Sequence, residues 1–331
     1  MKAVVVRGPC RFDQAEIAEI PDPTPGFGEV IVAVKAAEVN YPDILVIEGK
    51  YQVKPPLPFS PGKAATGVIE SIGEGVSDLQ PGDRVAVQVE YGAYAEKLCA
   101  AAANCYHMPN GMPFDKGAAL GLVYQTAYFS LLDRGGLRIG ETVLVLGGSG
   151  GIGLASVQLA KALGAGKVIA GVRGRENAAF IRKMGAEHVI DLSMSDLRDG
   201  LRTAVRELTG GEGANIVIDP IGGAATEAAL RALAWRGRLV IVGFASGNIH
   251  RVAANYLLVK NIATIGLQWS DYREREPHHV AQVQSEIFDF YQKSLIDPYI
   301  GRTFPLERYG EALALLHHGN VQGKIILTIG E

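Results

Sequence analysis

An α/β chain, with a doubly wound parallel sheet inserted into a β-rich domain, is the architecture this sequence predicts. An apolar run at residues 142–146 breaks into Gly147-Gly-Ser-Gly-Gly-Ile-Gly153. A helical pattern follows, with Ile152, Ala155, Leu159, Ala162 and Leu163 at three- and four-residue spacing before Gly164. From residue 142 to 267, short apolar runs alternate with helical segments. The flanking stretches break that rhythm, and 331 residues exceed what one ordinary core holds.

Residues 3–6, 30–34, 67–72, 84–89 and 93–100 are short runs rich in Val, Ile and Tyr. Pro21-Asp-Pro-Thr-Pro25, Gly73-Glu-Gly75 and Pro81-Gly-Asp83 punctuate them. Short strands with frequent turns predict a small barrel or sandwich. A helix is expected over 115–132. The next block offers strands at 142–146, 167–172, 188–191, 215–219, 238–242 and 262–267, with helices centred on Val157, Phe180, Val205, Leu230 and Leu257. Strands linked by crossover helices are what a doubly wound sheet needs. The charged stretch 270–277 reads as an exposed connection. Beyond it lie helices at 279–292 and 309–317 and a strand at 324–329. One strand and two helices make no independent core, so the tail is expected to pack on the N-terminal part. The expected domains are 1–121 with 268–331, and 122–267.

Gly148, Gly150 and Gly153 fit Gly-x-Gly-x-x-Gly between a strand and a helix. One glycine permits the turn, one lets a pyrophosphate approach the backbone, and one lets the helix pack close to its strand. Free amides at the helix N-terminus face the phosphates, which nominates Ser149, Gly150, Gly151 and Ile152. An NAD site usually places Asp or Glu about 20 residues past the motif to hold the ribose hydroxyls. That region reads Gly171-Val-Arg-Gly-Arg175, with two arginines and no acid at the strand end. A guanidinium fork grips the 2′-phosphate that a carboxylate repels. NADPH is therefore expected, with Arg173 the first contact and Arg175 the second; two solvated arginines are the alternative. Ligands of such sheets lie at the carboxyl ends of the strands. That adds Gly243, Phe244 and Ala245, beside the nicotinamide half with Asp219-Pro-Ile-Gly222, and also Gly266 and Leu267.

A net charge of −3 gives no electrostatic case for nucleic acid or membrane as a partner. No apolar run has the length of a membrane span, and the one at the N-terminus is too short for a signal peptide. Cys10, Cys99 and Cys105 are odd in number and lack metal-ligand spacing, which suits a reduced, cytoplasmic setting. The pairs His278-His279 and His317-His318 read as solvated, since adjacent helix positions do not share a face.

A series of segments then recurs in order: Val39-Asn-Tyr-Pro-Asp43, Pro61-Gly62 with Thr66-Gly-Val68, Pro81-Gly-Asp-Arg-Val85, Gly92-Ala-Tyr-Ala-Glu96, Gln125-Thr-Ala127, the glycine loop with Val157-Gln-Leu-Ala-Lys161, Asp219 with Gly222, and Gln322-Gly-Lys324. In these the whole chain resembles the medium-chain dehydrogenase/reductase superfamily, in particular its zinc-free, zeta-crystallin-like quinone oxidoreductase branch. The resemblance implies a GroES-like catalytic domain joined to a Rossmann-type domain, with the active site in the cleft between them. It implies NADPH as cofactor and a homodimer or homotetramer. It also implies cofactor contacts at Asn40, Thr126 and Lys324, although the Thr126 hydroxyl can instead bond back to its helix.

Zinc relatives carry a cysteine near the first helix, a Gly-His-Glu segment and a four-cysteine lobe. A catalytic zinc needs three protein ligands of Cys, His or acid type. Here the first position falls in Val39-Asn-Tyr-Pro-Asp43, the second reads Gly62-Lys-Ala64, and residues 91–105 contain only Cys99 and Cys105. No metal is expected. Alcohol oxidation, which leans on a metal-stabilised alkoxide, is then disfavoured. Quinones and conjugated carbonyls, which take a hydride readily, are favoured, with catalysis resting on positioning and oxyanion stabilisation.

The resemblance puts Asn40 and Tyr51 at positions that line the cleft, with Asp43 between them, and Lys63 departs from the zinc pattern; these four are the catalytic candidates. Asn40 can donate an amide N–H to a carbonyl or to the nicotinamide amide. Tyr51 offers a protonated phenol, as donor or only as pocket wall. Asp43 lies between them, as a site residue or as a turn residue before the next helix. Lys63 either attracts an anionic or oxyanionic acceptor or packs its stem with its head in solvent. The leading expectation is an NADPH-dependent quinone oxidoreductase. Its rivals are reduction of α,β-unsaturated carbonyls or enoyl thioesters and, in another class, an NADPH-binding protein with little turnover. The resemblance places the apolar residues 262–269 at a sheet edge, where a two-fold partner is expected to extend the sheet.

Overall fold

Strand Thr142–Leu146 lies inside a six-stranded parallel sheet in the computed structural model, which describes residues 1–174, 176–319 and 321–330. Across the sheet the order is His188–Asp191, Lys167–Val172, Thr142–Leu146, Ala214–Asp219, Leu233–Ile241 and Ala263–Gly266, every adjacent pair parallel. Chain order reverses beside Thr142–Leu146, which is the switch point of a doubly wound sheet. Val143, Leu144, Val145 and Leu146 are fully buried, as an unbroken apolar strand must be when both sheet faces are covered. On one face Leu144, Leu146, Ile169 and Val217 pack with Leu201 and Val205 of helix Leu197–Leu208 and with Ala228 and Leu230 of helix Gly223–Ala232.

This unit comprises Val123–Tyr272 and Asp289–Asp297. Asp297 belongs to it because Gln158 accepts the Asp297 N–H at 2.8 Å and donates its own amide to the Asp297 carbonyl at 2.9 Å. One strand departs from the sequence pattern. Leu233 already pairs with Ala214, the chain then loops out, and Arg238 resumes opposite Ile216. Arg236 adopts φ 61° in that excursion and Trp235 stays 68% exposed. A bulge of this kind has no apolar period to announce it.

The other unit comprises Met1–Leu122, Arg273–Phe288 and Pro298–Glu331. Its main sheet runs Ile300–Pro305, Lys324–Thr328, Glu29–Val39, Ala64–Ile72, Arg84–Gln88, Cys105–His107, with Lys97–Ala101 beside the first half of Glu29–Val39. A two-stranded ribbon, Lys2–Val5 with Glu16–Glu19, completes the strands among the described residues. Ile325 pairs with Val39 and Thr328 with Ala36, antiparallel. The last strand of the tail thus lies on the N-terminal sheet, whereas residues 268–272 and 289–297, expected with it, fall in the parallel-sheet unit, which is inserted into this one.

The helix expected over 115–132 is divided into Phe114–Ala119, Leu122–Phe129 and a π-helical turn, Ser130–Arg134. Glu38 Oε2 accepts the Leu122 N–H at 3.2 Å, so a buried carboxylate replaces a helical carbonyl at the break. The stretch read as an exposed connection is also different. Residues Trp269–Arg275 form a helix in which Trp269 and Arg273 are buried.

Candidate active site

Asn40 ends strand Glu29–Val39 and caps helix Tyr41–Ile47. Asp43 sits one turn in, and its Oδ2 accepts the Asn40 backbone N–H at 2.8 Å. Tyr94 donates its hydroxyl to the same oxygen at 2.8 Å. That approach depends on Gly62, which adopts φ +95°; a Cβ there would lie 2.4 Å from the Tyr94 ring. Asp43 is fully buried, and its Oδ1 has no hydrogen-bond partner. Burial pushes its carboxyl up to about 6, against the opposing pull of the Tyr94 hydroxyl, the Asn40 amide, Lys63 and Lys324. Burial first, and the Asp43 carboxylate second, push the Tyr94 phenol up as well.

The Asn40 side chain is also bonded to two buried charges. Its Nδ2 donates to Glu38 Oε2 at 3.1 Å and its Oδ1 accepts from Lys324 Nζ at 2.8 Å. Lys324 also donates to the Val39 carbonyl at 3.0 Å and lies 2.9 Å from Glu38 Oε1. Among the described residues Glu38 Oε1 makes no directed hydrogen bond, so that last contact is one of charge.

Lys63 does not send its head into solvent. It is 5% exposed and paired with Glu90 Oε2, and its Nζ lies 4.5 Å from the centroid of the half-buried Tyr51 ring. The second Glu90 oxygen takes the Arg273 guanidinium. Two cations, Lys63 and Arg273, thus share the Glu90 carboxylate.

The nucleotide-type residues lie in the other unit. Gly147, one position before the motif, takes the left-handed turn at φ +67°. A Cβ on Gly153 would stand 1.9 Å from the Gly147 carbonyl oxygen, so this glycine is what lets helix Gly151–Ala162 sit against the turn. Ser149, Gly150, Gly151 and Ile152 are only half-buried at the mouth of the loop. Arg173 is exposed just past strand Lys167–Val172. The neighbouring acid, Asp191, is occupied in fixing the loop: its Oδ1 accepts the Gly174 N–H at 2.9 Å and the Ser193 hydroxyl at 2.6 Å. Arg175 lies outside the described residues.

Asp219, fully buried at its strand end, accepts the Ile221 and Gly222 amides at 2.9 and 3.0 Å and the Thr226 hydroxyl at 2.5 Å. It thereby shapes the loop against which Gly243, Phe244 and Ala245 run; the Ala245 N–H reaches the Pro220 carbonyl at 3.0 Å. Phe244 is 42% exposed. Gly266 and Leu267 close the last strand, with Arg134 donating to the Gly266 carbonyl at 2.9 Å. Thr126 is buried in helix Leu122–Phe129, and its carbonyl accepts from Ser130 Oγ at 2.6 Å.

Asn40, Asp43, Tyr51, Lys63 and Lys324 therefore gather in one unit, and the remaining candidates lie in the other. Glu38, Glu90 and Tyr94 are bonded to these candidates, and Arg273 to Glu90; none of the four was singled out from the sequence. Glu38 did carry a signal, a lone charge inside the apolar run 36–39. Arg273 carried none. His278, His317 and His318 are exposed, and among the described residues there is no group of three or more His, Cys, Asp or Glu arranged to hold a metal.

The family described as "Alcohol dehydrogenase GroES-like domain" matches residues 26–130, and "Zinc-binding dehydrogenase" matches 151–285. The "Quinone oxidoreductase-like protein 2 homolog" of Nematostella vectensis is 36% identical over 92% of this chain and 82% of its own. The chain belongs to the quinone oxidoreductase branch of the medium-chain dehydrogenase/reductase superfamily. It is an oxidoreductase by that membership. Within the superfamily, a mycobacterial protein solved in complex with NADPH has a TM-score of 0.91 at 30% identity, covering 99% of each chain. The Escherichia coli quinone oxidoreductase, also solved with NADPH, has a TM-score of 0.90 at 27% identity and covers 99% of this chain and 100% of its own.

Proposed function

We propose that this chain is a metal-independent, NADPH-dependent quinone reductase. The observation that carries the reading is the occupancy of the two zinc-ligand positions. Neither Val39–Asp43 nor Gly62–Ala64 holds a cysteine or histidine; Asn40 and Lys63 are committed to hydrogen bonds or ion pairs, and the one acid, Asp43, is buried against the Asn40 amide and the Tyr94 hydroxyl. NADPH fits the other unit on its own residues. The loop 147–153 is closed to a Cβ at Gly153 yet half-exposed at its tip, and an exposed guanidinium, Arg173, ends the next strand. When bound, NADPH supplies a hydride equivalent. Arg173 would hold the 2′-phosphate, and the amides of 149–152 would meet the pyrophosphate. Asn40 donates to the oxygen of the acceptor, where charge develops.

A second reading, reduction of α,β-unsaturated carbonyls or enoyl thioesters, is favoured by the Tyr51 phenol beside the Lys63 ammonium, a proton donor placed next to a cation. Oxidation of NADPH against a panel of quinones and enones separates the two. Quinone turnover that survives Tyr51→Phe supports the first. Enone turnover lost in Tyr51→Phe supports the second. No turnover with any acceptor leaves an NADPH-binding protein. Equal KM for NADH and NADPH refutes the cofactor assignment.

The same reading includes a homodimer or homotetramer formed at strand Ala263–Gly266. It is the last strand of the sheet, and helix Ala254–Lys260 leaves Leu258 and Val259 exposed near it in sequence. A monomeric mass in solution refutes this. Three cysteines that are all free, with burial pushing the Cys99 thiol up to about 11 and the Cys105 thiol up to about 12, support a reducing, cytoplasmic setting.

A further inference from the structure

We infer that the buried ion pair Glu38–Lys324 pins the carboxamide of Asn40, so that Glu38 and Lys324 are positioning residues for it. The inference rests on the reductase reading, in which Asn40 donates to the acceptor oxygen. A carboxylate only accepts hydrogen bonds and an ammonium only donates them. Asn40 lies between the two, with Nδ2 3.1 Å from Glu38 Oε2 and Oδ1 2.8 Å from Lys324 Nζ. A flipped amide would turn its oxygen to the carboxylate and its N–H groups to the ammonium, losing both bonds and meeting like charge twice. Only one orientation survives.

The consequence is chemical. One Nδ2–H is spent on Glu38 and the oxygen is spent on Lys324. The donor left over is the second Nδ2–H, held in one direction before any ligand arrives. Glu38 is fully buried and Lys324 is 6% exposed, so water does not compete for the pair. The Leu122 amide and the Val39 carbonyl hold the two charges from behind. The Lys324 ammonium meets three oxygens of its own unit, and through the one on Asn40 it acts on the reaction. A preorganised donor of this kind is what stabilises a developing oxyanion without reorganisation at the moment of reaction.

Two single variants and their double decide the matter. In Lys324→Met, Glu38 still holds the N–H; in Glu38→Gln, Lys324 still holds the oxygen. Each single therefore keeps the amide orientation but leaves a buried charge unpaired. The double Glu38→Gln/Lys324→Met has no unpaired charge but nothing left to choose the orientation. Stability and activity should then rank in opposite order. The double should melt in urea closer to wild type than Lys324→Met does. Its kcat should fall at least about tenfold below either single, towards the ~10²-fold cost of losing an oxyanion donor. A purely structural pair predicts activity that follows stability, so a double with kcat at or above the singles overturns the inference.

A second readout needs no turnover. In protein labelled with 15N-asparagine, the two Nδ2 protons of Asn40 should be widely separated in wild type and in each single. In the double they should collapse towards the ordinary spacing. An unchanged separation in the double overturns the pinning. A wild type that reduces no acceptor overturns the reductase reading instead, and the resonance pair still decides whether the amide is pinned.

Discussion

Replacing Asp43 by Asn should flatten the pH dependence of stability in one defined window. Asp43 is fully buried, and its carboxyl is pushed from 3.8 to about 6, chiefly by loss of solvation. At about 1.36 kcal/mol per tenfold change in proton affinity, that displacement amounts to about 3 kcal/mol. The sign follows from proton linkage. Between 3.8 and about 6 the native carboxyl keeps its proton while the unfolded one has lost it. The contribution is complete below the unfolded value and is lost as pH rises through the folded one. Urea unfolding of wild type and Asp43→Asn at pH values from about 4 to about 7.5 isolates this group, because other titrations cancel in the difference. Wild-type stability minus that of the variant should fall by about 2.5 kcal/mol across the range, the rest having been lost below pH 4. A difference that stays flat, or that grows with pH, would refute the reasoning, since it would mean that Tyr94 and the Asn40 amide outweigh burial.

Three further outcomes follow from the geometry. Gly153→Ala drives a Cβ to 1.9 Å from the Gly147 oxygen, so the loop must open; fluorescence titration should show NADPH binding lost while the N-terminal sheet still melts cooperatively. Arg173→Ala removes a charge-assisted contact worth about 1.5–3 kcal/mol, so KM for NADPH should rise about tenfold to a hundredfold and KM for NADH should hardly move. Lys63→Met leaves Glu90 with Arg273 alone. Breaking a buried pair typically costs about 3–5 kcal/mol, and the retained Arg273 should hold the loss in a urea melt below that range.

Thr142–Leu146, Gly153 and helix Gly151–Ala162 were legible from the sequence because their signals are local. A buried parallel strand is apolar throughout, and a close backbone approach admits only glycine. The returning tail was legible for a different reason: one strand and two helices cannot bury a core alone. The break at Leu122 and the burial of Arg273 were not legible. Each depends on a carboxylate, Glu38 or Glu90, brought in from far along the chain, and an ion pair leaves no period in the sequence.

The sequence by itself determined the two-part architecture, the glycine loop and the residue types within Val39–Asp43 and Gly62–Ala64. All of these follow from local periodicity and from the chemistry of single side chains. What those side chains are paired with was decided only by the tertiary structure. It gave Lys63 to Glu90, placed Asn40 between Glu38 and Lys324, and enclosed Asp43 with Tyr94 away from water. The physical reason is that desolvation and hydrogen-bond direction depend on neighbours from distant segments, and only the folded chain brings those segments together.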